Sequence, residues 1–86
     1  MVTLAQAARG MRDGDDAYLS GLGHRMRWSK WPVPKWLKPA AGWAGQCQQC
    51  GDVLHIAALG GTTGYSSYAD ADGNPHRIRR CRRPRR

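Results

Sequence analysis

Cys47-Gln48-Gln49-Cys50-Gly51 sets two thiols three residues apart and follows them with a glycine, the spacing of a tight turn that folds both sulfurs toward one metal ion. In such a knuckle the backbone amides hydrogen-bond to the sulfurs, and Gly51 permits the backbone geometry. The remaining cysteine, Cys81, lies thirty-one residues after Cys50 and returns to the turn if the intervening chain folds back on itself. Three thiolates need one more ligand for a tetrahedral site, and His24, His55 and His76 are the candidates.

Spacing alone leaves that choice open. His55 follows Cys50 on a predicted strand, about 16 Å away along an extended chain. His76 precedes Cys81 by the same interval and meets the same objection unless the segment bends or coils. His24 stands before a proline-rich stretch that can bring it back to the knuckle. We take His24 as the leading fourth ligand and His76 as the alternative, followed by His55, water or no fourth ligand. The expected cofactor is zinc. A redox role for the cysteine pair lacks the strand-turn-helix unit whose helix N-terminus would lower a thiol pKa. An odd cysteine count without a secretion signal argues against a disulfide framework.

Outward from the knuckle, Asp52 to Leu59 predicts a strand closed by Gly60-Gly61, and Thr62-Thr63-Gly64 extends that loop. Tyr65 to Ala69 predicts a second strand, and Asp70-Ala71-Asp72-Gly73-Asn74-Pro75 is a dense turn signal. Beyond it a third strand is expected over His76 to Arg80, with a short helix from His76 to Arg82 as the competing reading. Before the knuckle, His24 to Trp43 alternates basic residues with tryptophans, and Trp31 to Pro39 is too rich in proline for a helix or a central strand, which predicts extended, polyproline-like chain. Thr3 can cap a short N-terminal helix that ends near Gly10 and Asp13-Gly14, and a second helical turn can begin at Asp15-Asp16 and stop at Gly21 or Gly23. The fold expected is a small, β-rich α+β domain: a zinc-knuckle-stabilised antiparallel sheet with a short N-terminal helix and a basic C-terminal tail. Its divisions are a helical arm (1–23), a zinc-finger-like domain including the Trp/Pro-rich segment (24–81) and an arginine-rich tail (82–86).

At 86 residues the chain has a thin core, so a metal staple would carry much of its stability. The formal charge of +8 comes from Arg and Lys set against six Asp and no Glu. It is unevenly spread. Residues 24–43 contribute +5 and 76–86 contribute +7, while 1–23 and 44–75 are net acidic. Two basic segments flanking an acidic, cysteine-bearing centre point to a polyanionic partner, DNA or RNA. The expected phosphate contacts are Arg25, Arg27, Lys30, Lys35 and Lys38 in the first segment. In the second they are Arg77, Arg79, Arg80, Arg82, Arg83, Arg85 and Arg86. Trp31 and Trp36 are the candidate contacts for a protein partner.

The arrangement His24-x-x-x-Trp28, Trp43, Cys47-x-x-Cys50-Gly51, Tyr68-x-Asp70-x-x-Gly73 and Cys81 resembles small zinc-finger-like proteins of actinobacteria and their tailed phages, over roughly residues 24 to 81. The resemblance implies a metal-stabilised fold in which an early histidine joins three cysteines. It implies no particular activity, and the absence of a second C-x-x-C sets the chain apart from zinc ribbons.

Asp70-Ala71-Asp72-Gly73-Asn74 lacks the later glutamate of a calcium loop, and no serine stands in a nucleophile motif. A closed site of three thiolates and one histidine leaves no position for a reactive water, so no enzymatic activity is expected. No apolar run approaches the length of a membrane span, which leads us to expect a cytoplasmic protein. The sequence therefore predicts a zinc-stabilised module that binds nucleic acid. The alternatives are a protein-interaction module, such as a phage-encoded factor docking on a host nucleic-acid machine, and a small structural component of a larger assembly.

Overall fold

Four strands form one antiparallel sheet in the order β1-β2-β3-β4: β1 Met26–Trp31, β2 Ala40–Cys47, β3 Val53–Leu59 and β4 Gly64–Ala69. One helix, α1 Leu4–Gly21, packs against β1, β2 and β3, and a 3-10 turn spans Lys35–Leu37. The computed structural model describes residues 2–37, 39–60 and 63–82. Gly61 and Thr62 of the expected loop lie outside the described residues, as do the expected contacts Lys38, Arg83, Arg85 and Arg86.

The α+β expectation holds, but α1 is neither short nor divided. Thr3 Oγ1 accepts the Gln6 N–H and the Gln6 side chain accepts the Thr3 N–H, so two of the free N-terminal donors are satisfied reciprocally. Gly10 and Gly14 do not break the helix, although each costs roughly 1 kcal/mol relative to alanine. What carries the helix through them is packing. Ala8 and Leu19 are fully buried, and Met11 and Leu22 pack on a core of Leu19, Leu54, Ile56 and Tyr68. Asp16 satisfies the indole N–H of Trp28 at 2.9 Å. Past Gly21, the last residue of the helix, Gly23 has a φ of 88° that lets His24 N–H reach back to Leu19 O and Gly23 N–H to Ser20 O.

The stretch from His24 to Trp43 is not polyproline-like throughout. Its prolines fall in the connection after β1, where they deny a strand no hydrogen bond, and β1 and β2 pair on either side of it. Trp28 pairs across the strands with Gly45, and Trp31 with Gly42. A Cβ on Gly45 would lie 2.7 Å from the Trp28 ring, and one on Gly42 would lie 2.9 Å from the Trp31 ring and 2.8 Å from Ile56 O. Each tryptophan thus lies over a glycine, one on each face of the sheet. Leu54, Ile56 and Tyr68 point toward α1, whereas Trp31, His55 and Tyr65 gather on the opposite face.

The expected third strand is reduced to a single bridge, Ala69 to Pro75. Asp70 Oδ1 accepts the N–H groups of Asp72 and Asn74, which closes the turn, and His76 N–H still reaches Tyr68 O. From His76 the chain runs irregularly, forming neither the strand nor the competing helix, until Cys81 N–H bonds Leu22 O at 2.9 Å. The C-terminal segment is thereby tied to the end of α1.

Candidate metal centre

Four side chains from separate parts of the fold meet at one point. The C-terminal turn of α1 delivers His24, β2 ends on Cys47, the β2–β3 turn holds Cys50, and the tied C-terminal segment brings Cys81. The turn is a knuckle: Gly51 N–H bonds Cys47 O at 3.0 Å, and Gln49 N–H points at Cys47 Sγ at 3.4 Å. Gly51 has a φ of 83°, and a Cβ there would lie 2.8 Å from Ala71 Cβ. Neighbouring chain fixes the turn further, with Gln48 N–H on Arg25 O and Gln49 Nε2 on Gly23 O.

The ligand atoms of His24, Cys47, Cys50 and Cys81 all lie within 4.8 Å of one another, close enough to hold one metal ion. His24, Cys47 and Cys81 are buried and Cys50 is half-buried. A tetrahedral ion with bonds of about 2.3 Å to sulfur and about 2.05 Å to nitrogen spaces its sulfurs about 3.8 Å apart, and sulfur from nitrogen about 3.6 Å apart. Cys47 Sγ and Cys81 Sγ stand 3.8 Å apart, and Cys50 Sγ and His24 Nδ1 stand 3.5 Å apart. A disulfide needs sulfurs at about 2.05 Å, and all three cysteines are free.

The tautomer of His24 follows from its other nitrogen. Nε2 lies 2.5 Å from Arg79 O, a carbonyl that can only accept, so Nε2 carries the proton and Nδ1 keeps its lone pair for a metal. Arg79 is itself anchored. Its Nε and Nη2 donate to the two oxygens of Asp52 at 3.1 Å each, and Tyr68 Oη–H donates to Asp52 Oδ2 at 2.6 Å. Burial of Asp52 pushes its carboxyl up, but the Arg79 guanidinium and the Tyr68 hydroxyl outweigh burial and hold it below its ordinary value. Burial and the adjacent Asp52 raise Tyr68.

The thiols divide. Burial opposes ionisation of Cys47, yet hydrogen bonds, foremost the backbone ones from Cys50, Arg25 and Gln49, bring it down to about 6. Burial, followed by the neighbouring thiols Cys47 and Cys81, pushes Cys50 up to about 12. Three sulfurs packed this closely cannot all ionise unless a cation joins them.

Of the other histidines, His76 bonds Asp70 Oδ2 at 2.9 Å on the exposed turn, and His55 lies against Trp31 with ring centroids 4.8 Å apart. Neither reaches the cysteines. The N–H of Asn74, more than His76, holds Asp70 down to about 2. Among the expected phosphate contacts, Arg25, Arg27, Lys30, Lys35, Arg77, Arg80 and Arg82 are exposed. Arg79 is a correction: its guanidinium is committed to fully buried Asp52, because a carboxylate without water needs a partner. Trp36 is 72% exposed beside Tyr65, and Trp31 stacks on Tyr65 with centroids 5.8 Å apart.

Asp52 and Tyr68 were absent from the predicted site, and Arg79 was expected at phosphates rather than beside the metal centre. The one sequence signal for them is an acid placed directly after the knuckle glycine. Among the described residues no helix is long and apolar enough to cross a membrane. No protein-family model matches the chain, and comparison with curated proteins and with solved structures finds no significant match.

Proposed function

We propose that the chain is a non-enzymatic, zinc-stabilised module that binds nucleic acid through phosphate contacts. The observation that carries the proposal is the largely buried cluster of His24, Cys47, Cys50 and Cys81, whose ligand atoms all lie within 4.8 Å of one another and two of whose separations match a tetrahedral ion. Three thiolates and an imidazole are soft and borderline donors, the set that favours zinc over calcium or magnesium. Four protein ligands fill a tetrahedral shell, which supports a structural role for the ion.

The nucleic-acid reading rests on charge. Ion pairs among the described residues engage Arg12, Arg79 and His76. Arg25, Arg27, Lys35, Arg77, Arg80 and Arg82 remain exposed, on a chain of formal charge +8. Cations of this kind release counterions when they meet phosphates, so affinity falls as salt rises.

Native mass spectrometry tests the metal: one zinc per chain is expected in wild type and in His76→Ala, removed by a chelator and weakened in His24→Ala. Titration of single-stranded and duplex oligonucleotides at several salt concentrations tests the partner. A flat salt dependence, or no binding near about 100 mM salt, overturns the nucleic-acid reading.

A further inference from the structure

The face of the sheet turned away from α1 is built differently from the face α1 covers. The strand register sets Trp31, Gly42, Ala57 and Tyr65 in one row, with aromatic rings at the ends and small residues between. Trp36 extends the aromatic end, edge-on to Tyr65 with centroids 5.9 Å apart, and is 72% exposed. The other half of the face is an open groove of about 410 Å³, lined by Arg27, Ser29, Ala44, Gln46, Gln48 and Val53. Its walls offer the Arg27 guanidinium, the Gln48 amide and the oxygen of the Gln46 amide, whose Nε2 makes a long 3.5 Å contact to Gly51 O, over an aliphatic floor.

Charge narrows the choice of occupant. Among the described residues no register position of this face carries a carboxylate. The acids nearest in sequence are already engaged, Asp52 with Arg79 and Asp70 with its own turn and His76. Asp13, Asp15 and Asp16 belong to α1, which covers the other face. Arg27 lies in the groove, Arg25 immediately precedes β1 and Lys35 adjoins Trp36, all three exposed. A protein partner would be served by a continuous apolar centre, whereas exposed Ser29, Gln46 and Ser67 interrupt this surface. Exposed aromatic rings beside cations, with amides able to read the edge of a flat ring, suit unpaired bases on a phosphate backbone.

We infer that the outer face of the sheet is a platform for unpaired nucleobases, so the nucleic acid this chain takes is single-stranded. The inference rests on the nucleic-acid reading above and adds to it which strands are bound and where. Bases stack on Trp36 and the Trp31–Tyr65 pair, the groove beside Gln46 takes a base edge, and Arg25, Arg27 and Lys35 meet the phosphates. A duplex keeps its ring faces stacked on one another and offers this face only its backbone and groove edges.

The test uses the full-length, metal-loaded chain with oligothymidylate, oligouridylate and a duplex of equal length, followed by anisotropy and by intrinsic tryptophan fluorescence. Both single strands are expected to bind at least about tenfold more tightly than the duplex and to quench tryptophan emission. Trp36→Ala, at an exposed site outside the core, is expected to weaken single-strand binding about tenfold, and Trp36→Phe to restore most of it, with duplex binding unchanged. Gln46→Ala is expected to weaken single-strand binding by a smaller factor. Equal affinity for strand and duplex, with Trp36→Ala and Gln46→Ala indistinguishable from wild type, overturns the platform and leaves the phosphate reading standing. Failure of every oligonucleotide to bind overturns both and leaves this face to a protein partner.

Discussion

Asp52 supports the candidate site without touching the cluster's centre. It is fully buried and accepts three hydrogen bonds, two from Arg79 and one from Tyr68. The carbonyl of that same Arg79 receives the His24 Nε2 proton. Asp52→Asn removes the charge while keeping the shape, leaving the Arg79 guanidinium without its counter-ion and the His24 acceptor less firmly set. The expected cost is about 3 kcal/mol in denaturant unfolding of the metal-loaded chain, the low end for a broken buried pair because Arg79 retains some solvent contact. Metal affinity, read by competition with a chromophoric chelator, is expected to fall about 10- to 100-fold. A variant within about 0.5 kcal/mol of wild type would show that the network contributes nothing beyond an ordinary surface contact. This pairing was hidden in the sequence for a definite reason. A run of seven arginines between residues 76 and 86 announces its sign but not which member turns inward, and Arg79 is chosen by a buried carboxylate twenty-seven residues earlier. His24, Cys47, Cys50 and Cys81 were legible as candidates, because thiols and imidazoles are scarce in this chain and only a few combinations can close a tetrahedron.

The helix and strands show where local signals lose to packing. Glycines suggested a break in α1, yet nothing lies within 4 Å of a Cβ placed on Gly10 or Gly14, so both are exposed interior positions with no structural need for glycine. Gly10→Ala is therefore expected to stabilise the chain by up to about 1 kcal/mol. Gly42 is the opposite case, since its Cβ would press on the Ile56 carbonyl and on the Trp31 ring. Gly42→Ala is expected to destabilise by about 1 to 3 kcal/mol, as overpacking does. Thermal melts of the two variants should move in opposite directions, and a lowered midpoint for Gly10→Ala would contradict the account of α1. The same glycines explain why β2 was missed. Ala40-Ala41-Gly42-Trp43-Ala44-Gly45 has weak intrinsic strand preference, and pairing with β3 on one side and with β1, whose tryptophans lie over its glycines, on the other makes it a strand. β3 and β4 were legible because their apolar and aromatic residues are bounded by turn residues. The segment after Pro75 was misread because its terminus is fixed by Cys81 and Leu22 rather than by pairing along its length.

Several parts of the chain converge at one point. Its inner core is Leu19, Leu54, Ile56 and Tyr68, with a ring of half-buried residues around it, which is little apolar material for 86 residues. The four candidate ligands join the end of α1, the β2–β3 turn and the C-terminal segment, three parts also held by Gln48 and Gln49 on Arg25 and Gly23, by Cys81 on Leu22 and by Arg79 on Asp52. Without a cation the site packs three thiols whose ionised forms repel one another. A structural zinc supplies roughly 10 to 16 kcal/mol of apparent binding free energy near neutral pH, comparable to or larger than the whole stability of a small domain. Metal loss and unfolding are therefore expected to be one event. On titration with a strong chelator, far-UV circular dichroism, tryptophan emission and bound zinc should change together, and added zinc should restore all three. Protons compete with the metal for every ligand, so the chelator concentration needed should fall as the pH is lowered. If the sheet and α1 persist after the metal has left, with changes confined to residues 76–82, then the ion only pins the C-terminal segment and the core folds unaided. In that event Cys81→Ser would leave the melting temperature almost unchanged, whereas a single folding-and-binding equilibrium requires it to be as damaging as Cys47→Ser.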